Sequence, residues 1–206
     1  MFTTKDTTNV VSFNKGKKMR AAVLVIDMIK DNFEGTKGNR LTDEARAFLP
    51  ALNHLLAVAR KIKYPVIFAS DSFLKEDFIF NSKLKPHAIR GTHGAEVIND
   101  IHRGSDDIIM GKRRFSAFFK TDLDQTLRTW RIDTVVVTGI ATTFCILGTV
   151  FDALSHDFKT ILIEDCTAAH DKKIHQIYMD IYRNSPLYPL LRVFQAEEFI
   201  NMVNRQ

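Results

Sequence analysis

Apolar positions along the chain fall into short blocks whose period alternates. "AAVLVID", residues 21–27, is a near-continuous apolar run, the pattern of a strand buried on both faces. "TDEARAFLPALNHLLAVARKI", 42–62, then places Leu49, Leu52, Leu55, Leu56 and Ala59 at helical spacing, with Thr42 positioned as N-cap. Pro65 opens a second strand, "VIFAS". Residues 71–105 are loop-rich, and a loop of that length in a compact domain usually serves function. "DIIMG" predicts a third strand, "TDLDQTLRTW" a helix and "TVVVTG" a fourth strand. "CILGTVFDALSH" predicts a helix with Ile146, Leu147, Val150, Phe151 and Leu154 on one face. "KTILIED", a helix over 170–183, "LLRVF" and the helix "AEEFINMV" complete the series. Strand and helix alternate throughout. The pattern predicts one doubly wound α/β domain, with a mainly parallel six-stranded sheet and helices on both faces.

Composition narrows the function classes. The 206 residues suit a single sizeable domain, and 45% hydrophobic with 26% charged residues is ordinary for a soluble globular protein. No apolar run approaches the roughly 20 residues that span a bilayer. The opening stretch, "MFTTKDTTNVVSFNKGKKMR", lacks the apolar core of a secretory signal, so the expected location is cytoplasmic. The formal charge of +5 comes from scattered lysines and arginines, clustered only in "KGKKMR" and "KRR" without interleaved aromatics. A solvated basic surface explains it better than nucleic-acid binding. No G-x-G-x-x-G follows the first strand, where "DMIKDN" stands, so no dinucleotide cofactor is expected.

In doubly wound folds ligands bind at the carboxyl ends of the strands. Asp27 ends the first strand, Asp71 the second, Lys112 follows the third and Cys145 lies just past the fourth. Each alone has a plain structural explanation: a turn aspartate, a surface lysine, a small buried hydrophobe. Together they set an acid, a base and a thiol on the catalytic edge of a sheet. A helix start offers unpaired N–H groups and a positive dipole end, which lowers a thiol pKa and suits an oxyanion. Thr142 and Thr143 are candidate N-caps for that helix. Cys145 and Cys166 fall in separate elements, so neither a redox pair nor a metal knuckle is expected; Cys166 reads as structural.

Six segments in order, "LVIDMIKDNF", "PVIFASD", "PHAIRGTHGAEV", "IIMGKRRFSAFFKTDLDQTL", "IDTVVVTGIATTFC" and "FKTILIEDCTAA", resemble the isochorismatase-like cysteine hydrolases, which include nicotinamidases and N-carbamoylsarcosine amidase. The resemblance covers roughly residues 20–200. It implies a hydrolase domain over 20–206; residues 1–19, polar and aperiodic, read as a flexible extension. It implies an Asp27–Lys112–Cys145 triad, a cis peptide between Ile140 and Ala141, and an oxyanion hole from the N–H groups of Ala141 and Cys145. The reaction it implies is hydrolysis of a small amide or ureide C–N bond through a thioester. It also implies a homo-oligomer, a dimer or tetramer.

The chain departs from the family at the metal site. Metal-dependent nicotinamidases carry Asp-x-His after the second strand; here "DSF" keeps Asp71 and puts Phe73 at the histidine place. His87 matches a later ligand position, and Glu76 or Asp77 is available as a substitute. Two ligands make a poor site, so neither metal nor other cofactor is expected. Phe73 and Phe33 are the expected apolar pocket walls, with Phe78 and Phe80 on the long loop, although Asn32 holds the place where the family has an aromatic. Arg113 and Arg114 read as exposed charge. None of His54, His102, His156, His170 and His175 is expected to act as a catalytic base. The alternatives are a nicotinamidase with an altered metal site and a non-catalytic binding member of the fold.

Overall fold

The computed structural model describes residues 19–34 and 39–205. The expected extension over 1–19 lies, apart from Met19, outside them. Six strands form one sheet in the order β3-β2-β1-β4-β5-β6. They are β1 (Ala21–Ile26), β2 (Val66–Asp71), β3 (Ile108–Lys112), β4 (Thr134–Ile140), β5 (Lys159–Ala168) and β6 (Leu191–Phe194). Among the described residues every strand pairing in the sheet is parallel. Five helices cover it: α1 (Arg40–Lys61), α2 (Leu123–Thr129), α3 (Leu147–Ser155), α4 (Lys172–Arg183) and α5 (Ala196–Asn204).

Successive strand residues point to opposite faces, and the two faces feed two cores. Val23, Val25, Phe68, Val136 and Ile161 pack with α1 and α5. Ala22, Leu24, Ile67, Val135 and Leu162 pack with α2 and α3. This explains why β1 is apolar at every position: all six of its residues are buried. The order reverses between β1 and β4, which opens a crevice beyond their carboxyl ends.

Two boundaries differ from the sequence reading. The α1 cap is Asn39, whose Oδ1 accepts the Leu41 N–H at 3.0 Å, so the helix starts before Thr42. Thr42 is already inside the helix and donates its hydroxyl to the Asn32 carbonyl at 2.7 Å. β5 runs on to Ala168, beyond "KTILIED", because its ladder with β4 shifts register between Val137 and Gly139 and resumes at Thr167 and Ala168. Gly139 permits that shift. Its φ is +105°, and a Cβ there would sit 2.1 Å from the Ile26 carbonyl oxygen. Only glycine fits so close to β1. The 71–105 loop contains two short 3₁₀ turns and is pinned by Phe73, which pairs with Ile89 and is 1% exposed. Among the described residues no helix is long and apolar enough to cross a membrane.

Candidate active site

Three strand ends and one turn converge at the crevice. The chain leaves β1 at Asp27 in a left-handed conformation, φ 53°, which aims its carboxylate across the strand ends. The Asn32 side chain fixes that bend by donating to the Asp27 carbonyl at 2.9 Å. Asp27 Oδ1 accepts the Asp71 N–H at 2.7 Å. Lys112, the last residue of β3, is fully buried. Its Nζ lies 2.8 Å from Asp27 Oδ2, 2.5 Å from Asp71 Oδ1, 3.3 Å from the Arg114 carbonyl and 3.5 Å from Cys145 Sγ. An ammonium has three protons, so four acceptors share them. The ligand atoms of Asp27, Asp71 and Cys145 lie within 4.8 Å of one another around this charge.

Cys145 does not sit at the first turn of an α-helix. Residues Thr142–Ile146 form a π-turn, and α3 begins only at Leu147. The Ala141 carbonyl accepts the N–H groups of Phe144 and Ile146, passing over that of Cys145. Such wide turns recur at functional sites. The peptide between Ile140 and Ala141 is cis. Neither threonine caps the turn through its side chain; the Thr142 hydroxyl instead meets His175 Nδ1 at 2.9 Å.

The electrostatics correct the expectation of a lowered thiol pKa. Burial, followed by the Asp27 carboxylate, pushes the Cys145 thiol well above its usual range; Lys112 opposes this without winning. Burial and the Asp27 carboxylate together outweigh the favourable helix-start dipole. Burial and repulsion from Asp27 likewise push Asp71 up to about 7, against the pull of Lys112. Burial alone would depress Lys112, but the charges of Asp27, Cys145 and Asp71 hold its pKa above the ordinary lysine value. The resting arrangement is therefore a neutral thiol beside an ammonium shared by two carboxyl groups.

A cavity of about 770 Å³ opens onto this cluster. Phe73 lines it, and so do Phe115 and Phe144, which the sequence reading passed over. Their rings lie 5.8 Å apart at the mouth, 46% and 54% exposed. The position of Phe144 beside Cys145 was the available signal. Phe33 does not line the cavity; it is buried in the α1-side core, with the Arg46 guanidinium over its ring. Phe78 is 77% exposed, while Phe80 packs edge-on against Phe73. His170 lines the cavity, and His156 and His54 pair with Asp124 and Glu197 on the surface. Arg113 and Arg114 are not idle surface charges: both clamp Asp77, whose carboxyl their hydrogen bonds hold well below the usual range. They tie the long loop to the end of β3.

The residues present do not fit the metal site of the nicotinamidases. Asp71 is turned to Lys112. Phe73 fills the place of one imidazole, and His87 packs edge-on against Phe73 and Phe80, with its Nδ1 2.9 Å from the Lys85 carbonyl. Asp77 is held by the two arginines and Glu76 is exposed. The charge at the centre of the acidic cluster is supplied by the lysine.

Known proteins share this architecture. An isochorismatase-like hydrolase from Alkaliphilus metalliredigens superposes with a TM-score of 0.78 at 30% identity, covering 89% of this chain and 98% of that one. N-carbamoylsarcosine amidase from Thermoplasma acidophilum gives 0.75 at 27% identity, covering 87% and 98%. A probable inactive nicotinamidase of Arabidopsis thaliana is 32% identical over 164 residues, 75% of this chain and 83% of that protein. The family model described as the isochorismatase domain matches residues 21–188, from the first residue of β1 to just short of β6. With the sheet order, the strand-end cluster and these matches in agreement, the chain belongs to the isochorismatase family.

Proposed function

We propose that the chain is a cysteine-dependent hydrolase that cleaves the C–N bond of a small amide or ureide through a thioester. The observation that carries this reading is the buried Lys112 ammonium, 2.8 Å from Asp27 and 3.5 Å from Cys145 Sγ, two residues that line the cavity. The solved amidase relative acts on an N-carbamoyl compound by its name, which supports C–N cleavage as the reaction class.

Cys145 starts as a thiol, so attack requires proton transfer in the same step. Asp27 takes the thiol proton as Sγ adds to the substrate carbonyl, and Lys112 balances the negative charge that remains. The N–H groups of Ala141 and Cys145 hold the oxyanion. The tetrahedral intermediate collapses with loss of ammonia or an amine, which takes its proton from Asp27. Water then gives a proton to Asp27 and its hydroxyl to the thioester carbonyl. The acid leaves and the proton returns to the thiol. Phe73 and the Phe115–Phe144 pair form apolar walls for the acyl group. The packed Phe73–Phe80–His87 cluster favours this metal-free reading over an altered nicotinamidase.

Ammonia release from a panel of small amides, ureides and nicotinamide tests the proposal, comparing wild type with Cys145→Ala. Turnover that survives the substitution sinks it. The second reading, a binding member of the fold without turnover, is favoured by the name of the Arabidopsis relative. It predicts that Cys145 alkylates no faster than Cys166.

A second copy of the chain is the proposed macromolecular partner. α4 exposes Ile174, Ile177 and Ile181 at 44%, 56% and 53%, an apolar stripe turned away from the core. Lys173 and Asp180 flank one edge of it, about 10 Å apart along the helix axis. Antiparallel packing of α4 on α4 about a two-fold axis sets Lys173 of each copy against Asp180 of the other. Sedimentation of Ile177→Asp should give a monomer, and a wild type that is itself monomeric overturns the assignment.

A further inference from the structure

The turn that carries Cys145 is tied to helix α4 through Thr142, by a residue 33 positions further along the chain. Thr142 opens the turn and is fully buried. Its Oγ1 lies 2.9 Å from Nδ1 of His175 on α4. Burial holds the imidazolium down, so the ring carries a single N–H. The Thr142 hydroxyl and His175 Nδ1 share one hydrogen bond, whose direction is set by the ring tautomer. That bond ties α4 to the first residue of the π-turn.

His175 does not line the cavity that reaches Cys145. It borders a separate hollow of about 400 Å³, together with Glu164 and Gln195. Its effect on the chemistry has to pass through Thr142. That residue stands next to Ala141, whose carbonyl anchors the N–H groups on either side of Cys145. A shift at Thr142 moves both amides proposed to hold the oxyanion, and the sulfur with them.

We propose that His175 is a positioning residue, which locks Thr142 and through it the Ala141–Cys145 turn in the geometry that thiol attack requires. The inference rests on the hydrolase reading above. Four variants test it: His175→Ala, His175→Asn, Thr142→Val, and His175→Ala with Thr142→Val. Asparagine places an amide oxygen near the site of Nδ1. The readouts are kcat and KM for whichever panel amide wild type turns over fastest, and the rate of Cys145 alkylation by iodoacetamide. Circular dichroism melts confirm that each variant is folded at the assay temperature.

His175→Ala and Thr142→Val should each lower kcat about 10- to 100-fold, with KM within about twofold of wild type, since small misplacements of reacting groups carry penalties of that order. The double variant should fall no further than either single one, because both break the same link. His175→Asn should recover most of the loss. A kcat for His175→Ala within about twofold of wild type overturns the proposal, as do losses that multiply in the double variant. An asparagine variant no better than alanine overturns it too. If wild type releases ammonia from no panel amide, the hydrolase reading fails on its own. The alkylation rates of the four variants then still decide whether His175 and Thr142 act as one unit on Cys145.

Discussion

Removing the Lys112 ammonium is the severest local perturbation the site offers. In Lys112→Met the side-chain volume is kept while the charge is lost from a position with no solvent exposure. Asp27 and Asp71, with side chains 3% and 11% exposed, lose their shared partner. Breaking a buried pair from one side costs about 3–5 kcal/mol, because a desolvated charge is left uncompensated. For a chain of this size each kcal/mol shifts Tm by about 2–4 °C, so the loss is about 6–20 °C. The pH dependence follows from the two carboxyl groups. Without the lysine, burial and repulsion from Asp27 raise the folded-state pKa of Asp71 further above the unfolded value of about 3.9. The folded state then holds a proton that the unfolded state has lost, so stability of the variant falls as pH rises from about 4 through the raised pKa. Asp71 already stands at about 7 in the presence of Lys112, which places the window across neutrality. The wild-type lysine has a raised pKa, so its own contribution is fully present below the unfolded lysine value and does not change over this range. Urea denaturation at pH 5 and pH 8, followed by circular dichroism, should show the larger deficit at pH 8. Adding Asp71→Asn to the variant should recover about 1–2 kcal/mol at pH 8 by removing one orphaned charge. A deficit below about 1 kcal/mol, or one equal at both pH values, refutes the reasoning.

Asp27→Asn should leave a folded protein, since Asp71 still pairs Lys112, but lower kcat by about 100- to 10,000-fold through loss of the proton acceptor; stopped ammonia assays against purified protein check this. The pH–rate profile of wild type should bend near 7, where Asp71 ionises and competes with Asp27 for Lys112, and that bend should vanish in Asp71→Asn. Gly139→Ala forces a Cβ to within 2.1 Å of the Ile26 carbonyl at positive φ, so it should cost at least about 2 kcal/mol in urea denaturation or prevent soluble expression.

What was legible in the sequence was whatever depends on strand ends. β1 reads as buried because it has no polar residue before Asp27, and the alternation of strands and helices brings Asp27, Asp71, Lys112 and Cys145 to one edge. What was not legible depends on which side chains meet across the sheet. Nothing local reveals that Asp71 shares the Lys112 ammonium with Asp27 from 41 positions away. The thiol pKa was misjudged for the same reason: a helix start lowers it in isolation, and the buried carboxylates that raise it come from other strands. Thr142 looked like a cap because caps are local, whereas its partner His175 is on another helix. Asn39 and Thr42 competed to start α1, and the hydroxyl of Thr42 was claimed by Asn32. Phe33 was read as a pocket wall from its sequence neighbours, but the bend after Asp27 turns Asn32 to the site and Phe33 into the core.

The central claim is that Cys145 forms a covalent acyl intermediate. The most direct measurement is the intact mass of enzyme quenched in acid during turnover of the fastest panel amide, with the modified peptide located by digestion. The account predicts an added acyl mass on the peptide holding Cys145, absent from Cys145→Ala, which releases no ammonia. Turnover by Cys145→Ala at the wild-type rate, with no adduct on either protein, would contradict it.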